Sequence, residues 1–134
     1  MSGYAKASNL AAYQSASAHG GVAAADPHRL IVMLMDGALE RIATARGCIE
    51  RKETVEKTRL LNRAVSIVGE LHSSLDLTAG GKIAANLADL YDYMCSCLLK
   101  ANADNSIALL DEVSKLLHEI RGAWVAIPAQ VRNK

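Results

Sequence analysis

The stretch that decides the fold begins at residue 26 and reads DPHRLIVMLMDGALERIATARGCIE to residue 50. Asp26 and Pro27 are typical of a helix start, because an aspartate side chain caps free N–H groups and proline lacks the N–H that the first turn leaves unpaired. The apolar residues that follow recur every three or four positions, which predicts one amphipathic helix to about Glu50: Ile31, Leu34, Met35, Ala38, Ile42, Ala45 and Ile49.

The same apolar spacing recurs three more times along the chain. It predicts helices from a cap at Thr54 to just before Gly80-Gly81, from Lys82 to Ala101 and from Ile107 to Trp124. No proline stands between Pro27 and Pro128, so no proline ring interrupts these helices. Helices of about 20 residues with short connections favour antiparallel neighbours. We therefore predict an all-α fold, an antiparallel up-down four-helix bundle over residues 26–128.

The segments outside this bundle differ from it in composition. Residues 1–25 are small, polar and nearly uncharged, and their sizeable apolar side chains are Tyr4, Leu10 and Tyr13. We predict a flexible N-terminal arm whose Ala-rich middle can form a short extra helix. Residues 129–134 are predicted to be a C-terminal tail.

The composition argues against several classes of protein. The formal net charge is +1, without the clustered basic stripe of nucleic-acid binders. No apolar run approaches the ~20 residues of a membrane span, and residues 1–25 lack the apolar core of a signal peptide. The three cysteines, an odd number, are most simply free thiols in a reducing compartment. We expect a cytoplasmic protein with no nucleic-acid partner and no stable membrane insertion.

The chain also lacks the motifs of common enzymes. Di-metal bundles carry Glu-x-x-His pairs, but none of the four histidines has an acidic residue three positions earlier. Gly80-Gly81-Lys82 looks like a fragment of a phosphate-binding loop. That loop needs a glycine where this chain has Asp76, and a Ser or Thr where it has Ile83. We expect no catalytic residues, no metal and no cofactor.

Two stretches are more apolar than a single packed face requires. Residues 30–35 are apolar nearly all round the helix, and Tyr91, Tyr93 and Met94 stand close together in the third helix. A helix that is apolar on more than one face must bury the extra face against something. The core of the bundle accounts for most of these side chains, so the pattern alone indicates a helix-binding groove only weakly.

Several short motifs, read in order, carry a resemblance to one family. They cover nearly the whole chain: Tyr13, Asp26-Pro27-His28-Arg29-Leu30-Ile31, Leu34-Met35-Asp36-Gly37-Ala38-Leu39, Glu70-Leu71, Leu75-Asp76, Gly80-Gly81-Lys82-Ile83-Ala84-Ala85-Asn86-Leu87, Leu90-Tyr91-Asp92-Tyr93-Met94, Ala101-Asn102, Glu112-Val113 and Glu119-Ile120-Arg121-Gly122-Ala123-Trp124. No single motif is specific, but their order and spacing together resemble the flagellar export chaperones of the FliS family. The chain departs from the family's pattern at Met35, where a tyrosine is expected.

The resemblance implies a cytoplasmic chaperone for flagellin. Proteins of this family bind the disordered C-terminal segment of flagellin as helices in hydrophobic grooves, prevent premature polymerisation and deliver flagellin to the flagellar type III export gate. A disordered amphipathic segment that folds on binding can wrap a large surface, which agrees with this implication. The family's N-terminal arm can lie over the binding surface, and residues 1–25 suit such a removable cover.

Candidate partner-binding residues follow from the resemblance. They are Tyr13, Leu30, Met33, Leu34, Gly37, Leu90, Tyr91, Met94, Leu98, Leu117 and Trp124. Gly37 would permit close helix approach, and Trp124 is equally consistent with a plug of the core. Two alternatives stay open: a structural or regulatory helical homo-oligomer, and a chaperone for a different export client. A weak homodimer is also compatible with the pattern.

Overall fold

The structure is a computed structural model, and it describes residues 26–128. These residues form four helices, which we label α1 (Pro27–Glu50), α2 (Thr54–Ser73), α3 (Leu77–Asp104) and α4 (Ile107–Val125). The prediction of an all-α four-helix bundle is confirmed. The predicted arm over residues 1–25 and the predicted tail over residues 129–134 lie outside the described residues.

The helices pack in a closed cycle, each against two neighbours. α1 packs on α2 and α4, and α3 packs on the same two helices. Contacts between distant parts of the sequence show that α1 and α4 are antiparallel, because Arg46 near the end of α1 meets Asp111 near the start of α4, while His28 meets Trp124. Within residues 26–128, no helix has the length and apolarity needed to cross a membrane.

The core is built from the apolar stripes that the helical spacing indicated. Its largest fully buried side chains are Leu34, Met35, Ile42, Leu61, Ile67, Val68, Leu71, Met94, Leu98, Leu110, Val113 and Leu117. Each such side chain contributes about 1.5–3 kcal/mol when it is removed from water. Ala38, Ala45, Ala64 and Ala101 are 0% exposed among them, so the helices approach closely between the larger side chains.

The predicted start of α1 is confirmed in its capping bonds. The Asp26 carboxylate accepts hydrogen bonds from the backbone N–H groups of His28 (3.0 Å) and Arg29 (3.3 Å). The start of α4 follows the same rule, because the Ser106 hydroxyl accepts a hydrogen bond from the Leu109 N–H (3.2 Å). Both side chains satisfy N–H groups that a helix leaves unpaired at its first turn.

The predicted cap of α2 is wrong by one residue. Thr54 is the first helical residue, and Glu53 occupies the cap position without a capping hydrogen bond from its side chain. The reason is the tight turn that leads into α2, in which the Glu53 N–H donates to the Cys48 carbonyl (2.8 Å) and Lys52 has a left-handed φ of 60°. This turn places the chain in helical geometry from Thr54 onwards.

The boundary between α2 and α3 lies earlier than predicted. α2 ends at Ser73 and not just before Gly80, and α3 begins at Leu77 and not at Lys82. Asp76 causes the difference, because its carboxylate accepts hydrogen bonds from two backbone N–H groups of the next turn, at 3.1 and 2.9 Å. It therefore caps a new helix start one turn before the glycine pair.

The glycine pair that was predicted to separate two helices instead kinks one helix. Gly81 has φ +54° and ψ −132° inside α3, a left-handed backbone that side chains disfavour. The bend also needs a glycine at position 80, since a Cβ there would lie 2.6 Å from the Cβ of Ala84. Gly80 and Gly81 together allow the first turn of α3 to bend away from the axis of the rest of the helix.

Lys57 fastens α2 to the far end of α3. Its side chain is 4% exposed, and its Nζ donates hydrogen bonds to the Asn102 carbonyl (2.9 Å) and to the Asn105 side-chain oxygen (2.6 Å). Asn105 ends α3 in a left-handed conformation, with φ 52°. The unpaired carbonyl groups of a helix C-terminus favour a positive charge. Hydrogen bonds at the end of α3 therefore replace part of the hydration that the Lys57 ammonium loses on burial.

Candidate functional site

An apolar cleft occupies one end of the bundle. α1 and α3 begin at this end, and α2 and α4 finish there. The cleft has a volume of about 550 Å³, within the range of sites that bind ligands or side chains of a partner. Most of its lining is apolar: Pro27, Leu30, Ile31, Leu75, Ile83, Ala84, Leu87, Tyr91, Ile120, Trp124 and Ile127, together with His28, Ser74, Asp76 and Gly80.

One wall of the cleft is a clasp between His28 and Trp124. Their rings stack with centroids 5.0 Å apart and an interplanar angle of 10°. His28 Nε2 donates a hydrogen bond to the Trp124 carbonyl (2.7 Å), and Trp124 Nε1 donates one to the His28 carbonyl (2.9 Å). Two reciprocal bonds and a stack fix the start of α1 against the end of α4. The indole is thus both packed against the core and part of the cleft lining.

The floor of the cleft consists of nearly buried side chains. Leu30 is 6% exposed, Ala84 is 4% exposed and Tyr91 is 3% exposed. Burial raises the pKa of Tyr91 to about 12, because the phenolate form would lose its hydration. The floor therefore stays uncharged across the physiological pH range and suits an apolar partner.

The opposite wall is open and presents Ile83. This side chain is 74% exposed although it borders an apolar cleft. Leu87, one turn further along α3, is half-buried and packs against the core. Within one turn of α3, the apolar surface therefore changes from a side chain packed on the core, Leu87, to an exposed one, Ile83. The exposed side chain is available to a partner.

Few polar groups stand at the cleft, and they do not form a reactive group. Among the lining residues that the structure describes, Asp76 is the one carboxylate, and it is already engaged in capping α3. Arg121 and Asp36, which do not line the cleft, form an ion pair that links α4 to α1. No group of three or more His, Cys, Asp or Glu residues that could hold a metal is present within residues 26–128. The geometry supports binding of apolar side chains.

The structure divides the predicted partner-binding residues into several groups. Leu30, Tyr91 and Trp124 line the cleft. Four others are 0% exposed in the core: Leu34, Met94, Leu98 and Leu117. They present no surface to a partner in this closed bundle, and their role in binding stays a prediction.

The remaining candidates lie away from the cleft. Met33, Gly37 and Leu90 are partly exposed but do not line it. Gly37 stands beside Arg41 and Ile67, since a Cβ there would lie 3.4 Å from the first side chain and 3.6 Å from the second. Tyr13 lies outside the described residues.

Sequence reasoning missed most of the other apolar lining residues as site residues. Ile31, Leu75, Ile83, Leu87, Ile120 and Ile127 line the cleft but are absent from the candidate residues that the sequence indicated. A signal was available in Ile83, which stands two residues after the glycine pair, where the helix kinks. Spacing alone does not show which apolar positions have no packing partner.

Comparison with known proteins gives consistent results. A family model described as flagellar protein FliS matches residues 8–131. The flagellar secretion chaperone FliSB of Pseudomonas aeruginosa is 48% identical over 115 residues, which cover 86% of this chain and 91% of the relative. The flagellar secretion chaperone FliS of Salmonella typhimurium is 42% identical over 122 residues, or 90% of each chain. That of Vibrio cholerae is 36% identical over 93% of this chain and 92% of its own.

The small helical bundle with its open apolar cleft, together with these relatives, defines the class of protein: a secretion chaperone. FliS proteins are chaperones and not enzymes. The chain belongs to the FliS family of flagellar secretion chaperones. The resemblance seen in the sequence motifs and the prediction of a flagellar export chaperone are thereby confirmed.

Proposed function

We propose that this chaperone binds the C-terminal segment of flagellin in the cytoplasm, prevents its premature polymerisation and delivers it to the flagellar type III export gate. The segment docks as an amphipathic helix whose apolar face enters the cleft. Leu30 and Tyr91 contact it from the floor, Trp124 from the clasped wall and Ile83 from the open wall.

The observation that carries this proposal is the apolar cleft bordered by an exposed Ile83. Apolar surface of this kind is costly to leave in water, at about 25 cal/mol per Å². A helix with apolar residues three and four positions apart is the partner that a groove between helix ends fits best. The family relationship makes a secreted flagellar subunit the natural source of such a helix.

Calorimetric titration tests the proposal directly. The chain is titrated with the C-terminal segment of flagellin from the same organism, and circular dichroism follows helix content. We expect one-to-one binding with a gain of helix, because the segment orders as it docks. Replacement of Ile83 by glutamate should weaken the affinity at least tenfold, roughly the effect of losing one apolar contact and placing a charge against an apolar surface.

Val55 supplies a matched control for this substitution. It is 86% exposed at the start of α2, outside the cleft lining. Val55→Glu should leave both affinity and the unfolding midpoint unchanged, and Ile83→Glu should leave the midpoint unchanged. Absence of binding by the unsubstituted chain, or equal weakening by both variants, would contradict the proposal. Concentration-dependent mass without a response to flagellin would favour the homo-oligomer instead.

A further inference from the structure

The first turn of α3, residues 77–80, is separated from the body of the bundle. Every residue from Asp76 to Ile83 is exposed. Leu77 is 56% exposed and Ile83 is 74% exposed. Leu75 before the turn and Leu87 after it pack against the core, whereas Leu77 and Ile83 do not. The turn is therefore anchored on both sides and unpacked between them.

The turn also holds itself together. The N–H groups of Thr78 and Ala79 donate to the Asp76 carboxylate, and the Gly80 N–H donates to the Asp76 carbonyl (2.8 Å). In each of these capping bonds the acceptor is an oxygen of Asp76, and not an atom of another helix. A movement of the turn as a unit therefore leaves these capping bonds intact.

Gly81 is the point about which such movement occurs. Its φ of +54° separates the turn from the rest of α3, and the neighbouring Gly80 has no Cβ to collide with Ala84. A glycine without a Cβ passes between backbone conformations that other residues reach only with strain. Among residues 26–128, nothing lies within 4 Å of a Cβ built on Gly81, so packing within this part of the chain does not hold the hinge.

We propose that the first turn of α3 is a movable wall that closes over the helix bound in the cleft and contacts it through Leu77. The position of the turn supports this, because Asp76, Gly80 and Ile83 already line the cleft while Leu77 does not. A small rotation at Gly81 would bring Leu77 to the cleft mouth beside Ile83. Closure slows the departure of the client and covers two exposed apolar side chains. This inference rests on the proposed function.

Two substitutions with matched controls test the wall by the dissociation rate of the same flagellin segment. Leu77→Ala should speed dissociation about five- to tenfold, because roughly half a leucine side chain loses its burial in the complex. Leu99→Ala is the control, since Leu99 is 55% exposed on the same helix and does not line the cleft. It should leave the rate unchanged.

Gly81→Ala tests the hinge itself. Alanine is strained at φ +54°, so α3 should run straight and carry the turn away from the cleft. We expect dissociation about tenfold faster, without loss of the fold. Gly122→Ala is the control, because a Cβ at this exposed position of α4 meets no atom of the described residues within 4 Å. Hydrogen exchange should show amides 77–83 protected only in the complex.

The outcomes separate the wall from the docking proposal. If the unsubstituted chain binds the segment but residues 77–83 gain no protection, and Leu77→Ala dissociates like Leu99→Ala, the wall is refuted and the cleft stands. If the unsubstituted chain does not bind, both proposals fail. Faster dissociation in Leu77→Ala and Gly81→Ala alone supports the wall.

Discussion

Replacement of Glu70 by glutamine should stabilise the folded bundle at neutral pH. The Glu70 side chain is 2% exposed in α2, and its Oε2 has no hydrogen-bond partner among the described residues. Burial raises the pKa of this carboxyl, and the charge of Arg63 opposes only part of the rise. The ionised group therefore destabilises the folded state, because the unfolded chain hydrates it fully.

The size and pH dependence of this effect follow from linkage. An unsatisfied buried polar group costs about 1–3 kcal/mol. Glutamine removes the charge but keeps an amide to satisfy, so we expect about 1 kcal/mol, or a rise in Tm of about 3–6 °C. The folded state holds the Glu70 proton more tightly than the unfolded state, whose pKa is about 4.3. The contribution of Glu70 to stability is therefore present below that pKa and is lost as pH rises through the folded pKa.

Urea denaturation followed by circular dichroism measures both effects. The free energy of unfolding of Glu70→Gln should exceed that of the unsubstituted chain at about pH 7.5, and the difference should shrink towards pH 5. Glu40→Gln is the control, because Glu40 is exposed on α1 and its substitution should change stability by less than about 0.5 kcal/mol. A less stable Glu70→Gln at neutral pH, with Glu40→Gln unchanged, would show that the folded protein favours the carboxylate, and the reasoning would be refuted.

Three further predictions follow from named contacts. Lys57→Met should lower the free energy of unfolding by about 1.5–3 kcal/mol in denaturant titrations, because it removes two charge-assisted bonds to the end of α3; Lys115→Met, at an exposed position, should have little effect. Trp124 is the single tryptophan, so its fluorescence emission should shift when the flagellin segment fills the cleft, and an unchanged spectrum at saturation would argue against docking there. Asp36→Asn should cost less than about 1 kcal/mol in thermal unfolding, because its pair with Arg121 is partly exposed to water.

Helical periodicity predicted the fold well because it reports which face of each helix must leave water. The start of α1 at Asp26-Pro27 was predictable to the residue, since cap and proline chemistry act locally. The boundary near Asp76 was not predicted, because two breaking signals stand within one and a half turns of each other. Asp76 begins a helix and Gly81 bends it, and the sequence alone does not rank them.

The site was harder to predict for a different physical reason. Helical spacing predicts that Ile83 and Met94 share one face of α3, yet Met94 is 0% exposed and Ile83 is 74% exposed. The difference depends on where the neighbouring helices end, and this is a property of the whole bundle. Spacing identifies an apolar side chain, whereas only the packing shows whether the protein itself covers it.

The clasp between His28 and Trp124 also changes how the bundle comes apart. Helix ends near chain termini usually fray independently and with little cost. Here the start of α1 and the end of α4 share two hydrogen bonds and a ring stack. Neither end can fray without breaking its contacts to the other, so the start of α1 and the end of α4 are expected to loosen together.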